Sequence, residues 1–191
     1  MNKQTIKAFF DKQASHWDDD LVRNEPVIQT ILDNAHVTNN TKLLDVACGT
    51  GVLFSDYIER QTDVTAIDIS DEMVKIAKQK YPNINILCGD VETTDFTESF
   101  DVIMIYNAFP HFPNPASLIE TLSKKLTSNG YLSIAHGMSR EALLKHHDGK
   151  ASSVSIPLLE IDDLEQLLLP YFTIETKISN NEMYQIVGRK K

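Results

Sequence analysis

Residues 42–70 constrain the fold of this 191-residue chain more than any other stretch. Leu43, Leu44 and Val46 form a short apolar run interrupted only by Asp45, the pattern of a parallel strand buried on both faces. The run ends in a turn carrying Gly49 and Gly51, where a missing Cβ permits positive φ and lets a ligand lie against the backbone. Val52, Leu53, Tyr57 and Ile58 then recur at helical spacing, predicting a helix over Val52 to Arg60. A second apolar run, Val64 to Ile69, carries Asp68 about 20 residues after the glycines, where a carboxylate can accept hydrogen bonds from ribose hydroxyls. Strand, glycine turn, helix, strand and acid describe half of a nucleoside-binding βαβ unit.

What the turn lacks narrows the nucleoside. A dinucleotide site wants a third glycine three residues after the second, and Phe54 stands there. A P-loop needs Gly-Lys followed by Ser or Thr to carry phosphate and magnesium, and none follows. The run Leu43-Leu44-Asp45-Val46-Ala47-Cys48-Gly49-Thr50-Gly51 instead resembles motif I of class I S-adenosylmethionine-dependent methyltransferases, which commonly have an acid at the position of Asp45 and glycines at those of Gly49 and Gly51.

Composition limits the partners. With 42% hydrophobic residues the chain is long enough for one domain with a sizeable core. A formal net charge of −9 repels a phosphate backbone, so no nucleic-acid partner is expected. Cys48 and Cys88 make no disulfide framework and no metal-ligand spacing, so no metal is expected. With no leader pattern and no apolar run of membrane-spanning length, the expectation is a cytoplasmic protein, monomer or homodimer, with no membrane partner.

In chain order, Ile6, Phe9, Phe10, Ala14 and Trp17 share one helical face before the charges of Asp18 to Asp20. On periodicity alone these aromatics pack on a sheet. The segment Phe10 to Asp18 is also similar to the Phe-Asp-x-x-Ala-x-x-Trp-Asp opening of many small-molecule methyltransferases, which implies a lid whose Trp17 and Phe10 wall a sulfonium through cation–π attraction. A second helix is predicted from Pro26 to Ala35. Ser70 caps a helix reaching Lys80, with Met73, Val74, Ile76 and Ala77 inward and Pro82 beyond it. A third strand, Ile84 to Leu87, leads into Cys88-Gly89-Asp90-Val91. Read locally, Asp90 is a loop aspartate bonding nearby backbone. The resemblance makes it the acceptor for the adenine amino group, with Val91 serving the ring nitrogen. Acids at three successive strand ends fall where ligands bind in open α/β sheets.

Phe100 to Tyr106 is the fourth strand, followed by Asn107-Ala108-Phe109-Pro110-His111-Phe112. This departs from the Asn-Pro-Pro-aromatic pattern of some amino-group methyltransferases and lies closer to the small-molecule branch, in which a histidine often occupies the place of His111. Asn114-Pro115 starts the next helix, which Asn129-Gly130 is expected to close. Tyr131 to Ala135 is the fifth strand, with His136 at its carboxyl end. Ser139 caps a helix through Lys145, and His146 and His147 follow it as partners of its C-terminus rather than as a metal pair. Arg140 reads equally as a partner for a substrate carboxylate or as a surface ion pair. Ile161 to Leu169 is a last helix, and Phe172 to Lys177 with Met183 to Arg189 form a hairpin.

The resemblance covers nearly the whole chain. It implies an α/β fold: a three-layer Rossmann-like sandwich around a seven-stranded, mostly parallel sheet of order 3-2-1-4-5-7-6, with an antiparallel C-terminal strand and an N-terminal helical lid. One methyltransferase domain, 1–191, would comprise a lid (1–40), a cofactor-binding core (41–135) and a substrate-side loop, last helix and hairpin (136–191). The implied cofactor is S-adenosyl-L-methionine, held by Trp17, Asp45, Ala47, Gly49, Gly51, Asp68, Ile69, Met73, Asp90, Val91 and Asn107. A small-molecule methyl acceptor would meet His111, His136 and Arg140, with His111 and then His136 as candidate bases. Two alternatives stay open: a non-catalytic module binding the cofactor or its product, and a nicotinamide-dependent oxidoreductase.

Overall fold

A computed structural model of the chain describes residues 2–19, 21–147 and 152–191. Asp20, Asp148, Gly149 and the side chains of His146 and His147 lie outside what it describes. The strands are β1 (Lys42–Val46), β2 (Asp63–Asp68), β3 (Asn85–Cys88), β4 (Phe100–Tyr106), β5 (Leu126–His136), β6 (Phe172–Ser179) and β7 (Tyr184–Lys190). They form one seven-stranded sheet of order β3-β2-β1-β4-β5-β7-β6. The pairs from β3 through to β5 are parallel, and β7 runs antiparallel to both β5 and β6. The expected order and the antiparallel final strand are both present.

Alternation along the central strands divides the core into two faces. Leu44 and Val46 of β1 and Ile103 and Ile105 of β4 join one cluster, together with Leu118, Ile119 and Leu122 of α5 (Pro115–Lys125) and Leu164 and Leu168 of α7 (Ile161–Leu168). Leu43, Val102 and Met104 join the other, packed by Ile28, Ile31 and Leu32 of α2 (Glu25–Asn34), Phe54 and Tyr57 of α3 (Phe54–Glu59) and Val74 and Ala77 of α4 (Asp71–Lys80). These side chains are almost completely buried. Each Val, Leu, Ile, Phe and Met among them contributes about 1.5–3 kcal/mol of apolar transfer. Parallel strands covered on both faces therefore read as the continuous apolar runs seen in the sequence.

Helix starts follow their caps. Asn24, Ser70 and Asn114 accept hydrogen bonds from the backbone N–H groups of Val27, Met73 and Ser117, and Pro26 and Pro115 occupy the first turns. Several boundaries differ from expectation: His146 and His147 fall within the helix Arg140–His147 rather than after it, and two further differences lie next to β1 and β5. Helix α3 begins at Phe54 rather than Val52, because Gly51 to Leu53 complete the turn out of β1. Helix α5 ends at Lys125, and Asn129-Gly130 sit inside β5 rather than closing the helix. Pairing of Leu126 with Phe100 starts the strand early, and a register shift between Phe100 and Val102 accommodates Asn129 at φ +65°. Helix α1 (Lys3–Gln13) and a short 3₁₀ turn at Ala14–His16 precede α2, and α6 (Arg140–His147) follows β5.

Candidate active site

The carboxyl ends of β1, β2 and β4 and the N-terminal segment enclose a cavity of about 520 Å³. It falls within the usual size range of small-molecule sites. Of the residues expected to bind cofactor, Trp17, Asp45, Ala47, Gly49, Asp68, Ile69, Met73, Asp90, Val91 and Asn107 all line it, and His111 joins them. The chain turns left-handed at two of the three strand ends, with φ of +56° at Ala47 and +54° at Asn107. Such strain persists where surrounding structure enforces it, and here it shapes the floor of one site.

The two motif glycines do different work. A Cβ on Gly49, at φ +55°, would have only Trp17 Nε1 within reach, at 3.8 Å, so this backbone faces the cavity. A Cβ on Gly51, at φ +90°, would strike the Phe54 ring at 2.5 Å. Gly51 therefore does not line the cavity: it makes room for the fully buried Phe54, which fills the space a third glycine would have left open.

Two carboxyls lie buried beneath this turn. Asp68 accepts from the backbone N–H of Gly49 and of Ser70, each at 2.8 Å, and so pins the turn to the start of α4. Burial raises its pKa while these N–H donors pull it back. Asp45 is pushed up to about 8, first by burial and then by the charge of Asp68, with the Tyr57 hydroxyl opposing the shift. A buried acid in this condition ionises readily only when a cation arrives beside it.

Asp90 is placed differently from the open acceptor expected. Its carboxylate accepts from Lys3 Nζ at 2.6 Å and from the Glu92 backbone N–H at 3.0 Å, so α1 is clamped over the end of β3. Lys3 also pairs with Glu92. Further polar contacts seat the N-terminal segment: Asp11 accepts from Ser70 Oγ at 2.6 Å, and Asp18 accepts from Thr50 Oγ1 at 2.6 Å and from Lys80 at 2.9 Å. Phe10 meets Trp17 edge-on at 5.5 Å between centroids and His111 edge-on at 4.8 Å.

His111 sits in a 3₁₀ turn, Phe109–His111, just past β4. Its Nδ1 lies 2.9 Å from the Val154 carbonyl oxygen and 3.1 Å from Ser155 Oγ. A carbonyl only accepts, so Nδ1 carries the hydrogen and Nε2 is the basic nitrogen of the neutral ring. The main-chain bond from the Ile156 N–H to the Pro110 carbonyl, 2.8 Å, holds the two segments together.

His136 and Arg140 do not line the cavity. His136 is fully buried and packs edge-on against Tyr184, its antiparallel neighbour on β7. Strand β5 pairs with β7 as far as His136, so this strand end lies inside the sheet. Arg140 donates Nε to the carbonyls of Leu158 and Leu159 at 3.0 and 3.2 Å and pairs with Glu160 at 2.8 Å, tying α6 to the segment before α7. Lys3, Leu21, Val22, Tyr106 and Met138 line the cavity without having been expected there. The apolar pair Leu21-Val22, directly after an acidic run and outside any helical period, was the sequence signal for two of them; the Lys3 contact spans 87 residues and left none.

Among the described residues, no group of His, Cys, Asp or Glu is arranged to hold a metal ion, and no helix is long and apolar enough to cross a membrane. A parallel sheet with a nucleoside-type pocket at its carboxyl edge, acids at successive strand ends and a glycine turn defines a Rossmann-like binding fold. The methyltransferase domain family matches residues 44–134. The chain is 26% identical to the malonyl-[acyl-carrier protein] O-methyltransferase of Acetivibrio thermocellus, over 71% of its own length and 50% of that protein. It is 29% identical to the ubiquinone biosynthesis O-methyltransferase of Glaesserella parasuis, over 71% and 64%. The chain thus spans about half to two thirds of these relatives. The crystal structure of magnesium protoporphyrin IX methyltransferase from Synechocystis with bound S-adenosylhomocysteine superposes with a TM-score of 0.76 at 15% identity, covering 100% of both chains. Residues 44–134 thus match a methyltransferase domain, and the whole chain shares its fold with that solved methyltransferase.

Proposed function

We propose that this chain transfers a methyl group from S-adenosyl-L-methionine to a small-molecule acceptor, with His111 as general base. The observation that carries the reading is the buried pair Asp45 and Asp68 under the Gly49 turn, opening on the same cavity as His111. The donor set fits the cofactor. Asp45 gains a cation from an α-ammonium group, Asp68 offers acceptors for ribose hydroxyls, Asp90 and Val91 serve the adenine, and Trp17 offers a face to a sulfonium. The relatives named for O-methylation, of malonyl-acyl carrier protein and in ubiquinone biosynthesis, support methyl transfer to oxygen.

Bound there, S-adenosyl-L-methionine supplies a methyl on cationic sulfur; transfer to an oxygen nucleophile makes one C–O bond and breaks one C–S bond, whose electron pair stays on sulfur. The chain's part is positioning and proton handling. Gly49, Ala47 and Asn107 shape the floor, the N-terminal segment keeps water out, and His111 Nε2 takes the acceptor's proton while Nδ1–H stays on the Val154 carbonyl. A thermal-shift series tests the reading. S-adenosylmethionine and S-adenosylhomocysteine should raise the melting temperature, and NAD and NADP should not, because only ligands of the native state stabilise it. Stabilisation by a nicotinamide cofactor alone, or by none of the four, refutes it.

A further inference from the structure

The mouth of the cavity is apolar in a way the cofactor does not explain. Trp17, Leu21 and Val22 line the cavity yet are 43%, 43% and 90% exposed. They are not a loose flap. The neighbouring Arg23 pairs with the buried Asp56 at 2.8 Å, and with Glu25, and donates to the Val52 carbonyl, so this apolar segment is fastened to the turn that follows β1. Gln29 donates to the second Asp56 oxygen at 2.9 Å. Fixed apolar side chains left open at a pocket mouth mark a surface that a ligand covers.

Charge at the same site discriminates among ligands. Among the described residues lining the cavity, Lys3 and His111 are the basic side chains, and Lys3 is engaged by Asp90 and Glu92. Arg23 and Arg140 are committed to Asp56 and Glu160. Among the described residues, an acceptor carboxylate or phosphate therefore meets no guanidinium or ammonium that lacks a carboxylate partner, while Asp45, Asp68 and Asp90 face the same space. Trp17 and Tyr106 among the lining side chains can attract a cation, so the charge argument disfavours anions alone.

From this we infer that the acceptor is a largely apolar molecule that carries no negative charge, its apolar body covering Trp17, Leu21 and Val22 and its hydroxyl directed to His111. This rests on the methyltransferase reading and names its substrate class. It separates this chain from a relative named for a malonyl acceptor, which carries a free carboxylate.

The probes are 4-butylphenol and 4-butylbenzoate, each titrated calorimetrically at pH 7 into protein saturated with S-adenosylhomocysteine. The phenol should bind at least tenfold more tightly than the benzoate. Val22→Asp, at an exposed position that the fold does not need, should weaken the phenol at least fivefold while S-adenosylhomocysteine affinity stays within twofold. The benzoate binding as tightly as the phenol, or Val22→Asp leaving phenol affinity unchanged, overturns the inference with the methyltransferase reading intact. Failure of S-adenosylhomocysteine to bind at all overturns both.

Discussion

With Asp45 as the proposed partner of the ligand's α-ammonium, cofactor binding becomes a proton-releasing event. The Asp45 carboxyl is pushed from an ordinary 3.8 up to about 8 by burial and by Asp68. At pH 6.5 it is therefore almost wholly protonated in the ligand-free protein. An α-ammonium group beside it requires the carboxylate, and free α-amino groups, with pKa about 7.7–8.0, are already charged at that pH. Binding of S-adenosylhomocysteine at pH 6.5 should thus expel about one proton, and its affinity should climb about tenfold per pH unit from about 5 to 7, peak near 8, and fall above it as the ligand's ammonium deprotonates. Titration calorimetry in phosphate and in Tris reads the proton directly, as a difference in heat that scales with the buffers' ionisation enthalpies. Asp45→Asn should bind more weakly, with no such climb and no buffer dependence. The same shift has a stability consequence. Between 3.8 and 8 the folded state holds a proton that the unfolded chain has lost, so the ligand-free protein should lose stability as pH rises through that window. Equal heats in both buffers, or a climb with pH that persists in Asp45→Asn, would refute the assignment of Asp45 as partner to the ligand's ammonium.

The two motif glycines should separate in denaturant melts. Gly51→Ala combines positive φ with a Cβ driven into the buried Phe54 ring and should cost about 2–4 kcal/mol, whereas Gly49→Ala incurs mainly the left-handed backbone penalty of about 1–2 kcal/mol; equal losses would show that Phe54 is not what Gly51 accommodates. Lys3→Ala removes a half-exposed ion pair and should change stability by less than about 1 kcal/mol. It should nonetheless speed S-adenosylhomocysteine dissociation in stopped flow, an effect that 1 M salt should abolish by screening the same pair in the parent; an unchanged off-rate would mean the clamp of α1 on β3 does not hold the ligand in.

Much of this protein is determined by sequence that acts locally. The apolar runs of β1, β2 and β4, the caps Asn24, Ser70 and Asn114, and the glycine turn specify elements whose residues lie within one another's reach along the chain, so they were legible without the fold. The strand-end position of Asp45, Asp68 and Asp90 followed from the same pattern, because ligands in such sheets lie at carboxyl ends. Tertiary structure decided the rest. That Asp90 is held by Lys3, that Val154 fixes the His111 tautomer, and that Leu21 and Val22 stand at the cavity mouth all depend on contacts between distant segments. His136 and Arg140 show the converse. Strand-end position and charge made both candidates for the acceptor, but the antiparallel β7 covers His136 with Tyr184, and the carbonyls of Leu158 and Leu159 with the Glu160 carboxylate take up Arg140. Residue type and spacing define what a side chain can do; which neighbour reaches it first is set by packing, and packing is not local.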